Sequence, residues 1–187
     1  MQSKSFVLLR IIDSIEYTPL KRSVKFAKLI SELPEKAEKT LLDGFARYIA
    51  QEITNQVRTA IKSQKFKVAF KPLTPLYLDY KKRNKLELGF WRSTEFLLNH
   101  VTYWKYRNEY RIGFQQNVTY INEDGEKTIP IYKIAQYLEF GTRDKSGRTK
   151  IPARPVFTPI VKYISKNVTF FLDKYLATVD FQKILKM

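Results

Sequence analysis

The chain has 187 residues, which fits one domain of ordinary size and is long enough to bury a hydrophobic core. It contains no cysteine and a single histidine, His100, which excludes a disulfide scaffold, a thiolate or two-histidine metal site and a cysteine nucleophile. Lysine and arginine number 34 against 18 acidic residues, giving a net charge of +16. This charge favours a polyanionic partner such as DNA, although a soluble lysine-rich surface would have the same composition.

Apolar stretches near the start of the chain are short. Phe6–Leu9 and Ile11–Ile12 are interrupted by Arg10 and Asp13. A bilayer span needs roughly 20 apolar residues, and a signal peptide needs an unbroken apolar region. We therefore expect no membrane partner and a protein that is made and kept inside a cell.

The first half of the chain predicts a strand, two helices and a loop. β-Branched and leucine residues at Phe6–Ile12 predict a short strand, and the spacing over Leu20–Leu33 suggests a short helix. Apolar residues then recur at every fourth position, which predicts a long helix over 34–64 that begins at a proline. Residues 65–95 contain further prolines and predict a loop segment, with a helical turn over Pro75–Lys85.

A β-hairpin region is predicted over 96–129, because aromatic and β-branched residues become frequent there. We expect His100 to lie in its first strand, Asn108 and Glu109 to form the turn, and Tyr110–Gln116 to be the partner strand. An additional strand at Val118–Asn122 precedes an Asp-Gly turn at 123–126.

The last part of the chain predicts two helices separated by a basic loop. A short helix over 130–141 ends at Gly141, and the loop over 142–152 has no large apolar side chain before Ile151. A C-terminal helix is predicted within 153–177, followed by a tail over 178–187. The sequence thus predicts a single α+β domain, in which an antiparallel sheet packs against a long N-terminal helix and a C-terminal helix.

Candidates for catalysis are few. A metal-dependent nuclease would need Asp79, Glu87 or Glu126 to converge on a metal ion, but turn chemistry explains these acidic residues better. We expect no enzymatic activity, no metal and no cofactor.

Cations and aromatic side chains alternate at Trp104–Arg107 and Tyr77–Arg83. Such segments can stack bases and hold phosphates. The commoner arrangement places the aromatic side chains in the core and the cations in solvent, and we expect that arrangement here.

Two motifs occur in order in the C-terminal half. Ile134-Ala135-Gln136-Tyr137-Leu138-Glu139-Phe140-Gly141-Thr142 is followed, after the basic loop, by Ile151-Pro152-Ala153-Arg154-Pro155-Val156-Phe157. The pair resembles the neck and tail-completion proteins of tailed bacteriophages, which include minor tail components and a Mu-like virion-morphogenesis branch. In that family a short helix ends in Glu-Phe-Gly-Thr, and Pro-Ala-Arg-Pro-Phe leads into a terminal helix.

The resemblance extends to earlier parts of the chain. Lys71–Pro75 is similar to a Pro-Leu-Ser/Thr-Pro segment of the Mu-like branch, and Tyr110–Gly113 is similar to a family strand that ends in glycine. Ser93–Leu97 falls where the family has Asp-Thr-Gly-Arg-Leu, so that Glu95 stands in place of a glycine.

The resemblance implies a structural virion protein of the head-tail connector, in a tail-completion or tail-terminator role, assembled in the cytoplasm of a bacterial host. Its partners would be copies of itself in a ring, commonly sixfold in the family, the portal and tail-tube proteins, and genomic DNA passing through the lumen without sequence-specific contact. The alternatives are a free non-specific DNA-binding protein and, with less support, the nuclease.

Residues of the motifs are expected to form a structural joint or a subunit interface, with Arg154 held by its flanking prolines and Glu139 as its candidate partner. The motif residues are Glu139, Phe140, Gly141, Thr142, Pro152, Ala153, Arg154, Pro155 and Phe157. The basic loop is expected to line the DNA channel or to be an interface arm that becomes ordered on assembly. Its cations are Arg143, Lys145, Arg148 and Lys150.

Overall fold

A computed structural model describes most of the chain. The described residues are 9–10, 31–66, 69–86, 88–90, 95–115, 117–121 and 128–185. Within the strand expected at Phe6–Ile12, the structure describes β1, Leu9–Arg10. The helix expected over Leu20–Leu33 lies outside the described residues except for its last three positions.

The long helix α1, Glu35–Ser63, confirms the prediction for 34–64. Acidic residues occupy its first turn, where the positive end of the helix dipole stabilises their negative charge. The helix ends at Gln64, whose left-handed backbone (φ 55°) lets its N–H bond back to the last turn. The buried residues of α1 form one stripe along the helix: Ala37, Leu41, Phe45, Ile49, Ala50, Ile53, Thr54, Val57, Ala60 and Ile61.

The segment predicted as a loop over 65–95 contains a complete helix, α2, Pro75–Arg83. The Thr74 hydroxyl accepts a hydrogen bond from the Tyr77 N–H at 3.3 Å, and Pro75 occupies the first turn. This is a capped helix start of the kind that serine, threonine and N1 proline favour. The Thr-Pro pair therefore begins a helix, which confirms the helical turn expected over Pro75–Lys85 and extends it to nine residues.

A three-stranded antiparallel sheet packs against α1, with its strands in the order β1-β3-β2. Strands β2, Thr102–Tyr106, and β3, Glu109–Gly113, form the expected hairpin. Its turn is at Arg107 and Asn108, and the turn prediction for Glu109 is wrong, because Glu109 pairs with Tyr106 in the ladder. His100 is not in this sheet: it ends the short helix α3, Phe96–His100, where its Nδ1 lies 2.7 Å from the Phe96 carbonyl oxygen. The apolar residues of 96–100 thus form a helical turn, and the strand prediction for His100 is wrong.

The expected alternation in β2 holds for Lys105, whose side chain is 48% exposed, and is wrong for Tyr106. Lys105 lies toward α1 and pairs with Asp43, whereas Tyr106 is 39% exposed on the other face of the sheet. The Arg111 guanidinium stacks on the Tyr106 ring at 3.8 Å. A cation–aromatic pair therefore lies on the outer side of this sheet.

The second hairpin comprises β4, Thr119–Ile121, and β5, Thr128–Pro130. The Asp-Gly turn predicted between them lies outside the described residues. Helix α4, Ile131–Phe140, follows at once and ends at Gly141, as predicted. The part predicted as a basic loop is a third antiparallel pair, β6, Thr142–Arg143, and β7, Thr149–Ile151.

The single C-terminal helix predicted over 153–177 is two helices, α5, Phe157–Lys166, and α6, Val168–Leu176. Asn167 interrupts them, with its side-chain amide donating to the Tyr163 carbonyl at 2.7 Å. Asparagine competes for backbone hydrogen bonds in this way and interrupts helices. The predicted tail contains a further helix, α7, Phe181–Leu185.

One hydrophobic core joins these elements, because α1 packs against the sheet on one side and against α5, α6 and α7 on others. Phe114, after β3, meets Phe157, at the start of α5, edge to face at 6.1 Å. This packing confirms the predicted α+β class. Among the described residues, none of the helices combines the length and the apolar character needed to cross a bilayer.

Candidate functional site

The two motifs come together at one place, on either side of the third hairpin. We call Glu139–Gly141 together with Pro152–Thr158 the joint, and Thr142–Ile151 the basic hairpin. The joint connects the end of α4 to the start of α5, and the basic hairpin projects between its two halves.

Glu139 organises the joint. Its side chain is 2% exposed, and its carboxylate accepts backbone N–H groups from Val156 at 2.8 Å, Phe157 at 3.2 Å and Thr158 at 2.8 Å. The Thr158 hydroxyl donates a fourth bond at 2.8 Å. No residue next to the helix caps α5 with its own side chain. The carboxylate thus satisfies the N–H groups that a helix start leaves free, and places negative charge at the positive end of the dipole.

Gly141 is required by geometry. Its φ is 73°, a left-handed value that other residues adopt at a cost, and a Cβ here would lie 2.7 Å from the Ile151 carbonyl oxygen and 2.8 Å from the Ala153 nitrogen. Both neighbours are backbone atoms, one at the end of the basic hairpin and one in the opposite half of the joint. The glycine therefore ends α4 and lets the two motifs touch.

Arg154 does not pair with Glu139, because the hydrogen bonds of that carboxylate all come from residues 156–158. The Arg154 side chain is 7% exposed, and its guanidinium lies 5.0 Å from the centre of the Phe90 ring. Burial lowers the pKa of Arg154, an effect that the nearby Tyr77 opposes. The expected ion pair is wrong because the amide groups of the helix start occupy the carboxylate.

Arg154 instead connects the joint to α2. Its backbone N–H donates to the Leu138 carbonyl at 2.7 Å, which fixes the chain after Ala153 against the end of α4. Its guanidinium lies on the Phe90 ring, and the carbonyl of the preceding Gly89 accepts a hydrogen bond from the buried Lys81 of α2 at 2.8 Å. Helix α2 therefore lies close to the joint.

The remaining motif residues divide between the core and the surface. Phe157 is 1% exposed in the core, and Pro152 and Pro155 are half-buried. Ala153 and Phe140 face solvent, with Phe140 59% exposed.

The basic hairpin is closed by its own turn. The Asp144 carboxylate accepts bonds from the Ser146 N–H at 2.9 Å, the Ser146 hydroxyl at 2.6 Å and the Arg148 N–H at 2.9 Å. These bonds, the Ser146 hydroxyl foremost, hold the pKa of Asp144 below its ordinary value. Gly147 supplies the left-handed residue of the turn, at φ 81°. The hairpin is thus formed within a single chain, which differs from one of the two expectations, an interface arm that becomes ordered on assembly, and leaves the other, a lining of the DNA channel, untested.

Every residue from 143 to 150 is exposed. Four cations surround a single acidic residue, and the set contains no apolar side chain: Arg143, Asp144, Lys145, Ser146, Gly147, Arg148, Thr149 and Lys150. The cations singled out from the sequence therefore lie together on one projecting ribbon.

Of the three carboxylates considered for a nuclease, the structure describes only Asp79. Asp79 is exposed on α2, whereas Glu87 and Glu126 lie outside the described residues. Among the described residues, no group of three or more potential metal ligands comes together.

Two features of the site escaped the sequence analysis. Asp144 and Ser146 have the spacing of an Asx turn, a local signal that could have predicted the hairpin. Glu139 caps residues that follow it by 17 to 19 positions. No local sequence pattern indicates this contact, because it depends on the tertiary path of the chain.

Comparisons of the chain with protein-family models, with curated proteins and with solved structures find no match.

Proposed function

We propose that this protein is a structural component of the neck of a tailed bacteriophage, forming a ring that joins the portal to the tail and lets DNA pass. It would act in tail completion or as a tail terminator and have no enzymatic activity. In the virion its partners would be copies of itself, the portal and the tail tube.

The observation that carries this proposal is the hydrogen-bonded joint. The Glu-Phe-Gly-Thr and Pro-Ala-Arg-Pro motifs, on which the resemblance depends, meet where Gly141 closely approaches the Ala153 backbone. The Glu139 carboxylate also binds the N–H groups directly after the second motif, from Val156 to Thr158. Chance similarity of two short motifs would not require them to be in contact. Their contact supports a shared structural reason for the pattern.

Glu95 gives independent support. It occupies the position at which the family has a glycine, and its backbone is left-handed at φ 57°. Glycine is the residue that this conformation favours. A left-handed backbone at Glu95 is thus compatible with the glycine of the family pattern.

A closed ring needs two different complementary patches on each subunit, because its contacts are heterologous. The described surface has two separate groups of exposed apolar side chains that suit this role. Leu76, Tyr77 and Tyr80 lie on α2, and Tyr163 and Phe170 lie on α5 and α6. Tyrosine and phenylalanine are enriched at protein interfaces.

Negative-stain electron microscopy of the purified chain tests the proposal. We expect closed rings of uniform diameter with a central opening. A field of single subunits at every protein concentration would contradict self-assembly into a ring.

The second candidate is a free non-specific DNA-binding protein, which the net charge of +16 and the basic hairpin favour. This candidate predicts a monomer that binds duplex DNA with a steep dependence on salt. Electron microscopy separates the two, because only the first predicts rings in the absence of DNA.

A further inference from the structure

The basic hairpin is the most strongly charged projecting element that the structure describes. Its strands β6 and β7 pair only with each other, and residues 143–150 all face solvent. Four cations and one acid in eight residues give this ribbon a net charge of +3. Such an element must either contact a partner or remain in solvent.

Its composition argues against an interface between copies of the chain. Protein interfaces have an apolar or aromatic centre, and the exposed ribbon has neither. A second copy would also bring a net charge of +16, and several of its acidic groups are already engaged. Glu35 pairs with Lys39, Asp43 with Lys105, and Glu139 is buried in the joint.

Its shape and chemistry suit duplex DNA. Paired strands lie about 4.8 Å apart, and the major groove is about 12 Å wide and admits a two-stranded ribbon. Lysine and arginine on such a ribbon reach phosphates on both sides of the groove. The absence of aromatic residues from 142–151 removes the base stacking that single-strand binding uses.

The hairpin is also held ready for binding. The Asp144 turn orders its tip, and Gly141 with the Arg154 N–H fixes its base against α4. A preformed element loses little conformational entropy when it binds. The cations are thus presented at a constant position relative to the core.

We propose that the basic hairpin is the DNA-contacting element of this protein, which binds the phosphate backbone of duplex DNA without reading base sequence. The inference rests on the proposed function for its setting, in which DNA passes through the ring. The contact itself is a property of each subunit. Arg143, Lys145, Arg148 and Lys150 supply the charge.

The test uses two full-length variants that each lose four positive charges. The hairpin variant carries Arg143→Gln, Lys145→Gln, Arg148→Gln and Lys150→Gln. The matched control carries Lys62→Gln, Lys162→Gln, Lys166→Gln and Lys183→Gln, four exposed lysines on helices. Circular dichroism verifies that both variants fold, and the probe is a fluorescent 30-base-pair duplex, about three helical turns, titrated over a series of salt concentrations.

We expect the hairpin variant to lose at least about tenfold in affinity at low salt, and its slope of log affinity against log salt to fall by about 3 to 4, since each phosphate contact contributes about 0.9. The control should keep nearly the slope of the unmodified chain. Duplexes of only A·T or only G·C pairs should bind the unmodified chain equally. Equal losses in hairpin variant and control, or no binding by the unmodified chain, would overturn the inference.

Electron microscopy of the same variants separates this inference from the ring proposal. Rings that persist in the hairpin variant while DNA binding falls support the inference. Loss of rings in the hairpin variant alone would show that the ribbon contacts a neighbouring subunit, which overturns it. Hairpin-dependent DNA binding by a chain that never forms rings would overturn the proposed function and leave the DNA contact supported.

Discussion

The joint and the basic hairpin are adjacent in sequence but differ in almost every physical respect. The joint buries a carboxylate and brings backbone atoms into direct contact, so that a single methyl group at Gly141 has no room. The hairpin exposes every residue from 143 to 150 and depends on one internal turn. We therefore expect substitutions in the joint to lower the free energy of unfolding, and substitutions of the exposed cations of the hairpin to leave it nearly unchanged.

The largest expected effect is at Glu139. Glu139→Ala removes four hydrogen bonds and leaves the N-terminus of α5 without its cap in a buried place. We expect a loss of about 3 kcal/mol in the free energy of unfolding, measured by urea denaturation. Glu32→Gln, at an exposed site, is the control and should change stability by less than about 0.5 kcal/mol. Equal stability of both variants would contradict the importance of the joint.

Two glycines with similar φ angles, Gly141 and Gly147, give the next comparison. Gly141→Ala meets both a left-handed φ and a clash with Ile151 and Ala153, and we expect it to cost about 3 kcal/mol. Gly147→Ala has φ 81° but open space around the new methyl group, so that it should cost only about 1 kcal/mol. Thermal unfolding of the pair measures the difference. Equal costs would mean that the close approach at Gly141 relaxes easily.

A smaller effect of opposite sign is expected at Glu95. Glu95→Gly relieves the left-handed strain at φ 57° and should stabilise the protein or leave it unchanged, with a gain of up to about 1 kcal/mol. The same change at Glu52, inside α1, is the control and should destabilise by about 1 kcal/mol, because glycine weakens a helix interior. Denaturation midpoints report both values, and a destabilised Glu95→Gly variant would contradict the strain argument.

The smallest expected effect is a local dependence on pH at the tip of the hairpin. The pKa of Asp144 in the folded chain is lower than in the unfolded chain, so its contribution is present above the ordinary value of 3.8 and is lost as pH falls through the lower, folded value. The protection of the Ser146 and Arg148 amides, relative to intrinsic exchange at the same pH, should therefore fall only in that acid range. The Asp144→Ala variant should show fast exchange at neutral pH, and slow exchange there would contradict the turn.

The sequence predicted the parts of the fold that depend on local pattern. The repeat of apolar residues along α1, the pairing of β2 with β3, and the stop of α4 at Gly141 are all short-range signals, and the structure confirms them. The turn between β2 and β3 lies one residue earlier than predicted. His100 was assigned to the wrong element because five apolar and polar residues can form either a strand or a helical turn. Tertiary packing decides between the two.

For the site, the sequence located the correct residues but assigned a wrong contact. Glu139 and Arg154 were expected to pair by charge, whereas the carboxylate caps α5 and the guanidinium lies on Phe90. Both alternatives satisfy the charge of Glu139, and only the path of the chain after Pro152 distinguishes them. Contacts between residues far apart in sequence were therefore the part that pattern alone could not supply.

We propose that the chain assembles into a ring and that duplex DNA passes through this ring. Light scattering gives the mass of the purified protein in solution at low and high salt, with and without long duplex DNA. We expect one discrete multimer, with the same number of subunits at low and high salt and with or without DNA. A monomer whose mass rises only when DNA is added, and falls again at high salt, would contradict the ring and favour a free DNA-binding protein.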